Sequence, residues 1–354
     1  MFYYPQLINT PNLVNIQVVF PGGWGQLKDT EPGLHFLWEN LFFAPTKSIK
    51  DTDKWLWDNT LDFWSVTSFE SVRLNFTLHT DQVDIFAAKL GELLTPRPIS
   101  PDFITKEITD LKHYWQTDRD QKEDAVLRAL FKNEKVVHPN PELINNLSLN
   151  NVEAIYDLWA KAKPYALILG TVKTDDLVAL GTIFPEPNIF KTVTDYLPPK
   201  MTKEYFTPTR WGLKVSLNQS HLFELLVIEL WEQQFKAKFF FEYHHNNLYI
   251  WTNEIEHPRL LADKVKHYDP SNKDVENALK AYLKFLTKLY KGENSKSIEK
   301  LSELTEGLHA HSFQASTYGL DPDNLNLADT LNKVEVSSLK DFYLDFRAPL
   351  NADT

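Results

Sequence analysis

The sequence contains no cysteine, which excludes disulfide bonds and metal sites built from thiolates. It also lacks any run near the ~18 apolar residues of a membrane span, and its first residues do not combine a basic segment with an apolar one. We therefore expect a cytoplasmic protein that does not associate with a membrane. The formal net charge of -11 disfavours nucleic acid as a partner and favours basic partners such as cationic peptides.

Several catalytic patterns are missing as well. No Ser-His-Asp or Cys-His arrangement can be assigned, and the glycine-rich turn at 21–25 lacks the Lys-Ser/Thr ending of a phosphate-binding loop. What the chain does contain is core material: 43% of its residues are hydrophobic and 13% are aromatic, a composition typical of a folded globular protein. Its 354 residues are enough for two domains, each with its own core.

An internal repeat supports this division into two. Residues 147–156 recur as residues 334–343, an offset of 187 positions. Each copy reads apolar, polar, apolar, then a capping Asn or Ser, then an amphipathic helix with apolar residues at matching places. The repeat indicates that the chain consists of two homologous halves.

Other predicted elements follow the same order in both halves. The first half has a strand at 13–20, a helix from Gly33, a hairpin at 65–78 and helices at 104–117 and 124–132; the second has a strand at 213–217, a helix at 221–235, a hairpin at 239–252 and helices at 274–289 and 298–309. This order predicts an α+β fold in which each half is a mainly antiparallel sheet covered by helices.

The boundary between the halves is predicted from proline. Five prolines between 185 and 208 exclude a continuous helix there, so we assign 1–187 to the first half, 188–210 to a linker and 211–354 to the second half. A strand is predicted at 165–170 after the first repeat helix, but only a short tail follows the second. We therefore expect a truncated second half whose sheet lacks an edge strand.

The helix that begins after Gly33 carries the most specific pattern. Residues 33–43 match Gly33, Leu34, Glu39 and Phe43 of the segment Gly-Leu-x-His-x-x-Glu-His-x-Leu-Phe. The sequence here resembles the pitrilysin and mitochondrial-processing-peptidase family, the inverted zincins. In that family the two His share one helix face and bind zinc, and the Glu polarises a zinc-bound water.

The resemblance also indicates that the metal ligands have been lost. Phe36 and Asn40 occupy the positions of the two His, and Tyr114 occupies the register of the third ligand, a Glu on a later helix. Neither a phenyl ring nor a neutral amide binds zinc at useful affinity. Only Glu39, the former general base, remains, and we expect no zinc cofactor.

Two other interpretations stay open at this stage. A relocated site could be built on His35, Glu39 and His113, although His35 lies about 100° around the helix from the position that the family uses. Alternatively, the segment is an ordinary amphipathic helix with one surface His and one surface Glu that never bound metal.

The substrate-binding elements of the family are only partly retained. Its Asn-Ala-x-Thr edge strand, to which a substrate peptide pairs, corresponds here to Trp64, Ser65, Val66 and Thr67. Backbone pairing needs no particular side chain, so a peptide could still add to this strand. The Arg and Tyr that hold the substrate carbonyl correspond to a stretch with no Arg, in which Tyr243 is the best match for the Tyr.

The resemblance thus implies a catalytically inactive subunit. Such a chain would pair as a heterodimer with an active zinc-peptidase homologue to form a peptide-processing chamber. The alternatives are an active metallopeptidase with the relocated site and a stand-alone peptide-binding or scaffold protein.

Overall fold

A computed structural model of the chain describes residues 1–4, 12–21, 23, 33–68, 71–117, 126, 129–130, 144–184, 200–216, 224–244, 247–291 and 335–347. These residues form two compact units. No helix in these ranges is both long and apolar enough to cross a membrane. The predicted helix at 298–309 lies outside the described residues, as does most of the predicted helix at 124–132.

In its described residues, the first unit is a five-stranded sheet with six α-helices. Its strands are β1 (Phe2–Tyr4), β2 (Leu13–Pro21), β3 (Asp62–Thr67), β4 (Ser71–His79) and β5 (Tyr165–Leu169). Its helices are α1 (Leu34–Leu41), α2 (Thr52–Asn59), α3 (Val83–Leu94), α4 (Pro101–Thr117), α5 (Val152–Lys161) and α6 (Thr174–Ile183). The strand order is β1-β5-β2-β4-β3, antiparallel except for the β1–β5 pair.

Helix α1 packs against the sheet through aromatic contacts. The ring of Phe20 in β2 lies 5.2 Å from that of Trp38 and 4.7 Å from that of Phe42. The same helix also contacts β3, α4 and α5. Its polar residues are therefore held against the edge of the sheet.

The described part of the second unit is a four-stranded antiparallel sheet with four α-helices. Its strands are β6 (Lys200–Phe206), β7 (Trp211–Ser216), β8 (Phe239–His244) and β9 (Asn247–Thr252). Its helices are α7 (Glu224–Phe235), α8 (Pro258–His267), α9 (Asn272–Lys291) and α10 (Val336–Arg347). The strand order is β6-β7-β9-β8. Trp231 of α7 is central to its core, because its ring lies within about 6 Å of those of Trp211, Phe239 and Phe346.

The predicted α+β class and the mainly antiparallel sheets are confirmed. Both copies of the repeat form helices, α5 and α10, and both predicted hairpins are present as β3–β4 and β8–β9. Trp159 in α5 and Phe346 in α10, which occupy equivalent repeat positions, are both fully buried.

The predicted linker is partly wrong. Its second part forms β6, which pairs with β7 from Phe206 opposite Trp211 to Lys200 opposite Ser216. In the first sheet β2 is flanked by β5 and β4, whereas in the second the equivalent β7 is flanked by β6 and β9. Strand β6 thus has the place in the second sheet that β5 has in the first, so the edge expected to be open is paired.

A second difference concerns Val126 and Leu130, which the sequence assigned to the first half but which belong to the second unit. Val126 and Leu130 pack over Gly212 of β7. A Cβ at Gly212 would lie 2.6 Å from Val126 Cγ1 and 3.0 Å from Leu130 Cδ1, so a larger residue there would displace these two side chains.

Candidate functional site

A cavity of about 390 Å³ lies in the first unit, where α1, β3 and α4 meet. It is lined by Phe36, Glu39, Asn40, Ser65, Val66, Thr67, Asp110, Leu111 and Tyr114. The structure therefore brings together the three positions aligned with metal ligands, the remnant base and three of the four edge-strand residues predicted from the sequence.

Helix geometry explains why α1 supplies three of these residues. Phe36 and Asn40 are four positions apart and lie on one face, with Glu39 next to them. The start of the helix is fixed by Gly33, because a Cβ there would lie only 2.7 Å from Leu147 Cδ1 and 2.9 Å from Ile144 Cδ1. Glycine at 33 thus lets the helix approach the segment that precedes α5.

The carboxyl group of Glu39 is buried, with 9% of the residue exposed. The hydroxyl of Thr67 donates a hydrogen bond to Glu39 Oε2, and Ser65 supplies a second hydrogen bond. Thr67 Oγ1 also lies 3.4 Å from the carbonyl oxygen of His35. Two hydroxyl groups from the edge strand therefore hold the carboxyl at the base of the cavity.

Burial sets the charge state of this group. Desolvation raises the pKa of Glu39 above its ordinary value of 4.5, and this outweighs the hydrogen bonds from Ser65 and Thr67 and the attraction of Arg73, all of which lower it. A carboxyl that is held in a cavity with a raised pKa can accept or donate a proton, and such groups cluster at functional sites. This property marks the cavity as the candidate site.

The residues at the three ligand positions do not fit zinc. Phe36 has no donor atom, Asn40 offers a neutral amide, and Tyr114 is a partly exposed phenol. The ring of Phe36 instead packs edge-on against Trp115 of α4 at 5.2 Å. In the described part of the chain no three or more His, Cys, Asp or Glu residues are grouped closely enough to hold a metal ion.

The relocated metal site is not assembled either. His35 is only 3% exposed, and its ring packs against that of Trp38 at 5.7 Å, whereas His113 is exposed on α4. With Glu39 they form no three-ligand group in the ranges described. In the interpretation of an ordinary helix, the surface positions expected for His35 and Glu39 are wrong, because both residues are buried.

Strand β3 forms one edge of the described first sheet and pairs only with β4 there. Ser65 and Thr67 point toward α1, as their hydrogen bonds to Glu39 show. Since side chains alternate along a strand, Trp64 lies on the opposite face. The strand thus combines an open backbone edge with side chains that reach the cavity.

The other predicted peptide-binding residue is in the second unit. Tyr243 lies in β8, paired with Leu248 of β9. Its side chain is outside the described part of the structure, so its role stays a prediction.

Sequence reasoning missed some residues of the site. Asp110 and Leu111 line the cavity together with Tyr114. Their spacing was a usable signal, because residues 110, 111 and 114 follow the i, i+1, i+4 pattern of one helix face. The part played by the hydroxyl groups of Ser65 and Thr67 had no such signal.

Comparisons with solved structures identify the fold of this chain. The first half of the periplasmic protease PqqL from Escherichia coli matches with a TM-score of 0.67 and 14% identity, over 98% of this chain and 87% of that one. The chain has the fold of the pitrilysin-like (M16) peptidases. A protease from Helicobacter pylori also matches, with a TM-score of 0.66 and 15% identity, over 96% of this chain and 92% of that one.

A peptidase M16 inactive domain from Pseudomonas fluorescens shares the M16 fold as well, with a TM-score of 0.63 and 11% identity, over 95% of this chain and 89% of that one. The chain spans 45% of the full-length PqqL structure. No protein-family profile and no curated protein sequence matches it. The likeness is thus one of fold.

Proposed function

We propose that this chain is a catalytically inactive M16-like subunit that pairs with an active zinc-peptidase homologue to form a peptide-processing chamber. One observation carries the proposal. The cavity between α1, β3 and α4 keeps a buried glutamate at the position of the family's general base, but the residues at the ligand positions cannot bind zinc.

In this arrangement the partner would supply the metal and the attacking water. This chain would supply a wall of the chamber and the open edge of β3, to which an extended peptide can add as a further strand. Backbone pairing of this kind needs no catalytic group, so it survives loss of the metal.

The comparison with PqqL is consistent with a second component. The chain spans 45% of the PqqL structure and aligns over 87% of the structure of its first half. In a chamber of that size, a zinc-binding homologue is the component that would make it a peptidase.

Co-purification and activity together test the proposal. A tagged chain expressed in the native host is purified, its partners are identified by mass spectrometry, and the complex is assayed for cleavage of unfolded peptides. We expect a homologue with an intact His-x-x-Glu-His motif and activity that a chelator abolishes. Chelator-sensitive cleavage by this chain alone contradicts the proposal.

A matched pair of variants locates the catalytic site within the complex. Glu39→Gln in this chain should leave the maximal cleavage rate of the complex within about threefold, because Glu39 has no metal-bound water to polarise. The same substitution of the motif Glu in the partner should lower the rate by about a hundredfold or more. If Glu39→Gln produced the larger loss, the inactive assignment would be wrong.

A stand-alone peptide-binding protein is the second candidate, because the open edge of β3 does not itself require a partner. Recovery of bound peptides without any M16 homologue would favour it.

We also propose that the chain is located in the cytoplasm. Fractionation of the native host distinguishes it from the periplasm, the location named for PqqL.

A further inference from the structure

The cavity beside β3 is chemically unlike an apolar pocket. Its lining includes the carboxyl-bearing Glu39, the amide-bearing Asn40 and the hydroxyl-bearing Ser65 and Thr67, together with the apolar Phe36. A volume of about 390 Å³ falls in the lower part of the range of roughly 300–1,000 Å³ found for small-ligand pockets. Its size and polarity fit one long side chain with a polar end.

Glu39 determines which polar end group of a ligand side chain the cavity prefers. Asp110 also lines the cavity, but it forms a solvent-exposed ion pair with Lys106 at 3.1 Å. Glu39 is buried, and Arg73 attracts its charge without outweighing the desolvation. A cationic group brought into the cavity would therefore gain more from Glu39 than from any exposed acid, because a buried carboxylate is poorly screened by water.

The open edge of β3 is directly beside this cavity. A peptide that added to β3 would place alternate side chains on the α1 side of the sheet, level with Phe63, Ser65 and Thr67. The side chain opposite Ser65 or Thr67 would enter the cavity. A lysine or arginine side chain combines methylene groups that can pack against Phe36 with a terminal cation that can pair with the carboxyl of Glu39.

We propose that the cavity is a specificity pocket for a lysine or arginine side chain of a peptide bound along β3. This rests on the proposed function only in taking a peptide as the ligand of that edge. The net charge of -11 agrees with it, because an acidic protein attracts cationic peptides.

A second contact point lies along the same strand. The ring of Phe63 is 5.1 Å from that of Trp57 and 6.2 Å from that of Phe43, and Trp57 is 65% exposed. Because Phe63 shares its face with Ser65 and Thr67, a peptide residue over this aromatic cluster lies two or four positions from the basic residue. The bound sequence therefore combines a basic and an apolar residue at an even spacing.

The test uses the full chain and a series of short Thr- and Val-rich host peptides. Each contains one Lys and one Phe at varied spacing, and each has a counterpart in which norleucine replaces Lys. Fluorescence anisotropy measures the affinities. We expect the best Lys peptide to bind about tenfold or more tightly than its norleucine counterpart, and even spacings to bind more tightly than odd ones.

Variants connect this preference to the cavity. Glu39→Gln should reduce the Lys preference to within about twofold, whereas Glu153→Gln, which removes an exposed carboxylate from α5, should leave it unchanged. A thermal melt of each variant verifies that it is folded. Equal affinity for Lys and norleucine peptides, or a Lys preference that survives Glu39→Gln, overturns the pocket. Neither result affects co-purification with an active homologue, so the proposed function is tested separately.

Discussion

The ring of Phe36 meets the ring of Trp115 edge to face, with centroids 5.2 Å apart. These residues belong to α1 and α4, the two helices that would carry the zinc ligands in the peptidases that the sequence resembles. An apolar contact therefore joins the helices at the point where a metal ion would otherwise join them.

This contact predicts measurable coupling. Phe36→Leu and Trp115→Leu should each lower the free energy of unfolding by about 1–3 kcal/mol. The double variant should lose about 0.5–1.5 kcal/mol less than the sum, because the edge-to-face contact is removed only once. Urea denaturation measures all four proteins.

A control cycle uses a ring elsewhere in the unit. Phe76 is fully buried and its ring contacts Phe86. Phe36→Leu and Phe76→Leu should be additive within about 0.5 kcal/mol. Additive losses for Phe36 and Trp115 as well would mean that their contact contributes nothing to stability.

The buried carboxyl of Glu39 predicts a dependence of stability on pH. Its pKa is raised by burial, so the folded chain keeps this proton to a higher pH than the unfolded chain does. Unfolding then releases a proton as the pH rises above 4.5, and the contribution of Glu39 to stability falls over that interval.

Glu39→Gln removes this titration while it keeps an oxygen that can accept from Thr67. We expect the variant to melt close to the wild type near pH 4.5 and above it at pH 7, with a difference that grows between the two values. Thermal denaturation across this range measures the effect. A variant that is less stable than the wild type at pH 7 contradicts the assignment of Glu39 as a carboxyl whose pKa is raised by burial.

The sequence predicted the parts of the fold that depend on local periodicity. The strand before Gly33, both hairpins and the repeat helices are encoded by alternation or by helical spacing, and all are present. Strand β6 was missed because prolines precede and follow it, although its pairing with β7 is local in the sequence. The packing of Val126 and Leu130 over Gly212 was missed because it is a tertiary contact that no local pattern encodes.

The candidate site was likewise predicted from the sequence only in part. Helical spacing was sufficient to place Phe36, Glu39 and Asn40 together, and the register of the later helix correctly placed Tyr114 beside them. The burial of Glu39 and its hydrogen bond from Thr67 depend on the distance between α1 and β3, which packing sets. No single-element pattern carries that information.

The backbone hydrogen-bond pattern of β3 predicts which amide groups of a bound peptide contribute to its affinity. The Ser68 amide donates to the Ser71 carbonyl at 2.9 Å, so alternation places the N–H groups of Phe63, Ser65 and Thr67 away from β4. A bound peptide should use every second residue for backbone pairing. N-methylation at those positions of the best host peptide should weaken binding about two- to tenfold, and at the intervening positions much less. Equal sensitivity at consecutive positions contradicts strand addition.

Restoring the ligands should restore metal binding. The triple variant Phe36→His, Asn40→His and Tyr114→Glu supplies two imidazoles and a carboxylate where the fold already brings these positions to one cavity. We expect one zinc ion per chain and a higher melting temperature with zinc, about 2.7 kcal/mol of stabilisation at a hundredfold excess over the dissociation constant.

The matched control for that variant is Phe36→Asn, Asn40→His and Tyr114→Glu, which lacks one imidazole. It should bind zinc much more weakly, because one amide replaces a nitrogen ligand. If neither triple variant bound zinc, the alignment of these three positions with the family's ligands would be wrong.

The most direct test of the central claim is the zinc content of the wild-type chain. The chain is purified from its native host, equilibrated with zinc and dialysed, and its metal is measured by mass spectrometry beside the zinc-binding triple variant. The account predicts far less than one zinc ion per wild-type chain and one per chain of the variant. One tightly held zinc ion per wild-type chain, lost on substitution of Glu39 or His35, would contradict it.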